Sequence, residues 1–151
     1  MARTARADRH VPLPPEQAAA LWSDPDRWAS FVEGFARLVE RGQEWPSEGA
    51  RVVWESIPGG RGRVTERVVA HGPEHLATQV FEERLAGTQT AHFAAEEGGS
   101  RATLELEYEL EQSGPINAVA DALFIRRALR DALARTLRRF AVEAEEQAGL
   151  R

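Results

Sequence analysis

The side chains best placed for acid–base chemistry near neutral pH are four histidines: His10, His71, His75 and His92. His71 and His75 flank a Gly-Pro turn, HGPEH, and would chelate a metal if that turn folded back. No third ligand stands nearby, and the helical spacing that puts two ligands on one face is absent. Solvated hairpin residues are therefore expected, and no metal. His92 stands in TQTAHFAAE, a strand by composition. If Thr90, His92 and Ala94 face inward, a neutral imidazole lines the interior and can act as acid or base. If Ala91 and Phe93 face inward, His92 lies on the outer surface, and the apolar weight of Phe93 favours this parity. Trp54 and Tyr108 are better suited to lining a ligand site, since each joins a ring to a polar tip that needs a partner when buried. Leu106 shares the face of Tyr108. Arg126 falls within the apolar stripe of the C-terminal helix, beside Leu123. It either snorkels to the surface or meets a carboxylate, Glu82 or Glu83 being candidates, or an anionic group on a ligand. No residue is assigned a catalytic role.

Absent residue types narrow the chemistry further. The chain has no Cys, so thiolate catalysis, thiolate metal sites and disulfides are excluded. All 19 basic residues are Arg. Schiff-base catalysis and the P-loop lysine are excluded with them. No GxSxG, HExxH or dinucleotide fingerprint occurs, and no cofactor is expected. A net charge of −5 gives no overall footprint for nucleic acid. The run RRALRDALARTLRR spreads its charge broadly and is followed by Glu143, Glu145 and Glu146, so it reads as the solvated face of a core helix. No apolar run reaches the length of a membrane span, and MARTARADRHVPL lacks a signal-peptide core. A cytoplasmic location without stable membrane insertion is expected, with a homodimer allowed.

Elements must position these groups. Arg3 to Leu13 reads as a first strand. Pro14 and Pro15 open a helix with Ala18, Leu21 and Trp22 as its apolar stripe. Asp24 caps a second short helix that starts at Pro25 and buries Trp28, Phe31 and Val32. Six strand-like runs follow: FARLVERG, ARVVWESI, GRVTERVVAHG, HLATQVFEERL, TQTAHFAAE and RATLELEYELEQ. The separators WPSEG, PGG, GPE, AG and EGG are turn chemistry, which predicts an antiparallel meander. In the last run Leu104, Leu106, Tyr108 and Leu110 alternate with a row of carboxylates, giving one face to the core and one to water. From Pro115 to about Gln147 the pattern is helical. One apolar stripe holds Ile116, Val119, Ala120 and Leu123. Another holds Ile125, Leu129, Leu133, Thr136, Leu137, Phe140 and Ala144, roughly 130° away on a helical wheel. That rotation predicts a break near Phe124 to Arg126.

The order strand, two short helices, six strands, long helix resembles the START/Bet v 1-like superfamily, in particular its bacterial polyketide cyclase/dehydrase-like (SRPBCC) branch. The residues that carry the resemblance are VPLPPEQAAALWSDPDRWASFVEGF, RVVAHGPEHL, FAAEEGGSRATLELEYEL and GPINAVADALF. It spans nearly the whole chain, read as one domain over 1–151. The resemblance implies an α+β helix-grip fold, in which a curved seven-stranded antiparallel sheet holds the long C-terminal helix. It also implies a cavity between sheet and helix that takes lipids, polyketides or other hydrophobic molecules. The expected function is binding of a hydrophobic, ring-containing small molecule or lipid, with Trp54, Tyr108, His92, Leu106, Leu123 and Arg126 as lining residues. One alternative is a polyketide cyclase or dehydratase using His92 or Tyr108 as acid or base. Another is a protein-interaction module with a filled cavity and an exposed apolar patch.

Overall fold

The computed structural model describes residues 3–110 and 118–150. The strands are β1 (Arg3–Val11), β2 (Phe35–Arg41), β3 (Arg51–Ser56), β4 (Arg63–Gly72), β5 (His75–Phe81), β6 (Leu85–Glu96) and β7 (Gly99–Leu110). The helices are α1 (Pro15–Trp22), α2 (Trp28–Phe31) and α3 (Ala118–Gln147), with a 3-10 turn at Pro25–Arg27 leading into α2. Pro15 occupies the first turn of α1, and the Asp24 carboxylate caps the 3-10 turn by accepting from the Asp26 amide at 3.1 Å. Both starts are those expected of Pro and Asp at such positions.

The seven strands form one sheet in the order β1-β7-β6-β5-β4-β3-β2, with every neighbouring pair antiparallel. Six strands follow one another as a meander because their connections are short, while β1 pairs with β7 at one edge and the short helices carry the chain from there to β2 at the other. Register fixes the inner face. Gln89 pairs with Leu106, Ala91 with Leu104 and Phe93 with Ala102, so the apolar alternation of β6 and β7 coincides. Gly87 stands opposite Tyr108, where a Cβ would lie 2.2 Å from the Glu107 carbonyl oxygen. Only glycine permits that approach.

Helix α3 lies along the inner face. Leu133, Leu137 and Phe140 are buried in one cluster with Leu104 and Leu106, as the helical stripe predicts. One end of the grip is filled by rings: Phe140 meets Phe31 at 5.0 Å, Trp22 at 5.5 Å and Phe93 at 5.8 Å between centroids. Aromatic pairs at these separations each add about 0.5–1.5 kcal/mol beyond burial. That end is thereby closed, and any internal space is left toward the N-terminal half of α3.

The break predicted near Phe124 to Arg126 does not occur. α3 runs as one helix from Ala118 to Gln147. Leu123 and Phe124 are instead left 62% and 74% exposed. An unbroken helix is kept, and Leu123 of the first stripe is left outside the core. Pro115 and Ile116, and the side chains of Val119 and Ala120, lie outside the described residues.

Candidate ligand cavity

Between the sheet and the N-terminal half of α3 lies a cavity of about 340 Å³. Its α3 wall is Ile125, Leu129, Leu133 and Thr136, and its sheet wall includes Leu76, Val80, Leu104 and Leu106. Trp22, Trp28 and Val32 close it from the short helices. Ile57, on the β3–β4 loop, and Ala128, on α3, also line it, and both are exposed. The corner at residues 32–34 is pinned to α3. The Glu33 amide donates to Thr136 Oγ1 at 3.0 Å, and the Glu33 carboxylate pairs with Arg135 and Arg139 at 3.0 and 2.9 Å.

The apolar wall is crossed by a polar row. Trp54 on β3 is 1% exposed, and its Nε1–H donates to Glu66 Oε2 on β4 at 2.7 Å. Thr78 Oγ1 on β5 donates to Glu66 Oε1 at 3.0 Å. Gln89 on β6 stands opposite Thr78 and also lines the cavity. Glu66 is 8% exposed, and among the described residues no guanidinium forms an ion pair with it. Burying a carboxylate costs stability unless hydrogen bonds or an opposite charge offset it, and here the bonds from Trp54 and Thr78 supply that offset without a counter-charge. The β3–β4 loop brings Arg61 to the rim. Its Nε meets Glu82 Oε2 at 2.5 Å, and its guanidinium carbon lies 5.1 Å from the centre of the Trp54 ring.

Of the residues singled out from sequence, Trp54 and Leu106 line this cavity. Tyr108 is 1% exposed on the inner face but is not among the lining residues, and its hydroxyl has no partner among the described residues. Three expectations are corrected. His92 is exposed on the outer face, because Ala91 and Phe93 take the inner positions and Phe93 packs on Phe140. Leu123 points to solvent because α3 does not break. Arg126 is exposed at the sheet edge, where its Nε donates to the Thr4 carbonyl at 3.0 Å, and Glu82 is taken by Arg61 instead. The residue missed was Glu66. Its signal is the parity Val64-x-Glu66-x-Val68, a carboxylate in the inward register of an otherwise alternating strand.

Two carboxylates outside the cavity are held below the ordinary range. At Glu55, hydrogen bonds from Arg63 and then Arg37 stabilise the charged form. At Glu96 the first cause is His10, at 2.5 Å, followed by Arg101. Both belong to the outer surface rather than the cavity. Among the described residues no helix is long and apolar enough to cross a membrane.

A family model described as polyketide cyclase / dehydrase and lipid transport matches residues 2–145. No curated protein matches the chain. Among solved structures, the di-domain ARO/CYC StfQ from the steffimycin biosynthetic pathway superposes with a TM-score of 0.79 at 19% identity, over 99% of this chain and 53% of that one. The Zhui aromatase/cyclase from Streptomyces sp. R1128 gives 0.69 at 15% identity, over 98% and 96%. TTHA0849 from Thermus thermophilus gives 0.72 at 20% identity, over 96% and 99%. Likeness at these identities establishes a shared helix-grip fold. With the family match over residues 2–145, the chain belongs to the polyketide cyclase/dehydrase and lipid transport family of the START/Bet v 1-like superfamily.

Proposed function

We propose that this protein reversibly binds a hydrophobic, ring-containing small molecule between the sheet and α3. The observation that carries the reading is the cavity of about 340 Å³, mostly apolar with a short polar row on one wall. That composition is usual for small-molecule sites, and the volume lies near the low end of their range of about 300–1,000 Å³. An apolar cavity of about 150 Å³ accommodates one benzene, so the space suits roughly two rings and is small for a two-chain lipid. The ligand enters between the β3–β4 loop and α3, and its rings lie against Trp54, Leu106 and Leu129.

A second reading, a cyclase or dehydratase, is favoured by one feature: Glu66 is a titratable group inside the cavity. His92, on the outer face, plays no part in it. Prodan, a neutral two-ring fluorophore, tests the binding reading. Its emission is expected to brighten and shift to the blue with the folded protein, and naphthalene is expected to displace it. Unchanged emission at saturating protein would overturn the reading.

A further inference from the structure

We propose that Glu66 selects the occupant of this cavity: a ring compound bearing a hydrogen-bond donor, a protonated amine above all, with carboxylates rejected. The inference rests on the cavity being a binding site. Among the described residues, four ionisable side chains line it: Glu33, Arg61, Glu66 and Glu82. Three of them already have opposite charges at hand. Glu33 is paired with Arg135 and Arg139 across α3, and Glu82 is paired with Arg61 at the rim. Glu66 receives bonds from Trp54 Nε1 and Thr78 Oγ1, both neutral donors.

A carboxylate offers about four lone-pair sites, so two remain unused by these contacts. The Trp54 bond, at 2.7 Å, is at the length of charge-assisted bonds and shorter than the usual N–H···O distance of about 2.9–3.0 Å. With 8% exposure, bulk water screens Glu66 little. An ammonium group on a bound ring supplies both what the carboxylate lacks, donors and an opposite charge, in surroundings where the attraction is stronger than in water. A carboxylate ligand would instead set like charges together in the same space.

Four probes of equal ring size test this by prodan displacement near pH 7: naphthalene, 2-naphthol, 2-(aminomethyl)naphthalene and 2-naphthoate. The amine is expected to bind about tenfold or more tightly than naphthalene, the usual gain from a hydrogen bond to a charged group. The naphthol falls between them, and the naphthoate is weakest. Glu66→Gln keeps an oxygen for Trp54 and should bring the amine to within about threefold of naphthalene measured on the same variant. Equal binding of amine and naphthoate to the wild type, or an amine preference that survives Glu66→Gln, overturns the proposal. If that variant does not fold, the wild-type ranking alone decides. Naphthalene binding without an amine preference overturns this proposal and leaves the cavity reading standing. Failure of all four probes overturns both.

Discussion

Trp54→Phe removes the contact that holds Glu66 in place. The substitution removes the indole N–H, which is 2.7 Å from Glu66 Oε2, and keeps a ring between Phe35 and the cavity. A buried hydrogen bond to a charged acceptor contributes about 1.5–3 kcal/mol, and its loss leaves a carboxylate oxygen without that donor. The smaller ring adds about 1–2 kcal/mol of lost burial and packing. A single measurement mixes these terms, so the informative experiment is a double-mutant cycle with Glu66→Met. Thr78 loses its acceptor in both Met-containing variants, and that cost cancels. The double variant is expected to be more stable than the sum of the singles by about 1.5–3 kcal/mol. Urea unfolding followed by far-ultraviolet circular dichroism gives all four stabilities. A coupling below about 0.5 kcal/mol would mean that the Trp54–Glu66 bond contributes little, and Glu66 could not be regarded as a carboxylate positioned by Trp54.

Leu137 is 1% exposed in the core, so Leu137→Ala is expected to cost about 2–5 kcal/mol in the same assay; a cost below about 1 kcal/mol would place it outside the core. Leu123 is 62% exposed, and Leu123→Ala should change stability by no more than about 0.5 kcal/mol. Glu55 is held ionised first by Arg63 and then by Arg37. Its folded-state pKa is depressed, so whatever these contacts contribute is present above the unfolded value and lost as pH falls through the lower folded one. A carboxyl NMR titration should show Glu55 moving upward in Arg63→Ala, and an unmoved titration would refute the assignment.

Much of the fold was legible because local signals agreed with one another. Turn residues bounded most strands, and the alternation through Leu104, Leu106 and Tyr108 identified the inner face of β7. The AG turn was misplaced: Ala86 and Gly87 lie inside β6, where Gly87 allows close approach to Tyr108, and β5 turns into β6 at residues 82–84. The same parity, applied to Phe93, favoured His92 outside, where the structure has it, although His92 was still named among the lining residues. The helical wheel misled at α3, because rotation of an apolar stripe predicts a break only if both stripes must be buried. Leu123 and Phe124 are left exposed and the helix stays continuous. Arg126 was drawn toward the cavity by its place on the wheel, yet its partner is a β1 carbonyl, a contact 122 residues away along the chain. Glu66 went unread for a chemical reason. A carboxylate in a strand is ordinarily taken as outward-facing, and its inward register shows only when Val64 and Val68 are read beside it.

The most direct test of ligand binding in this cavity fills the space from α3. Ala132 lines the cavity, and Ala132→Phe would put a ring where the ligand is proposed to sit. The variant is expected to remain folded, with any overpacking limited to about 1–3 kcal/mol, and to lose detectable binding of prodan and naphthalene. Unchanged naphthalene affinity in folded Ala132→Phe would contradict the claim that the ligand occupies the cavity between the sheet and α3.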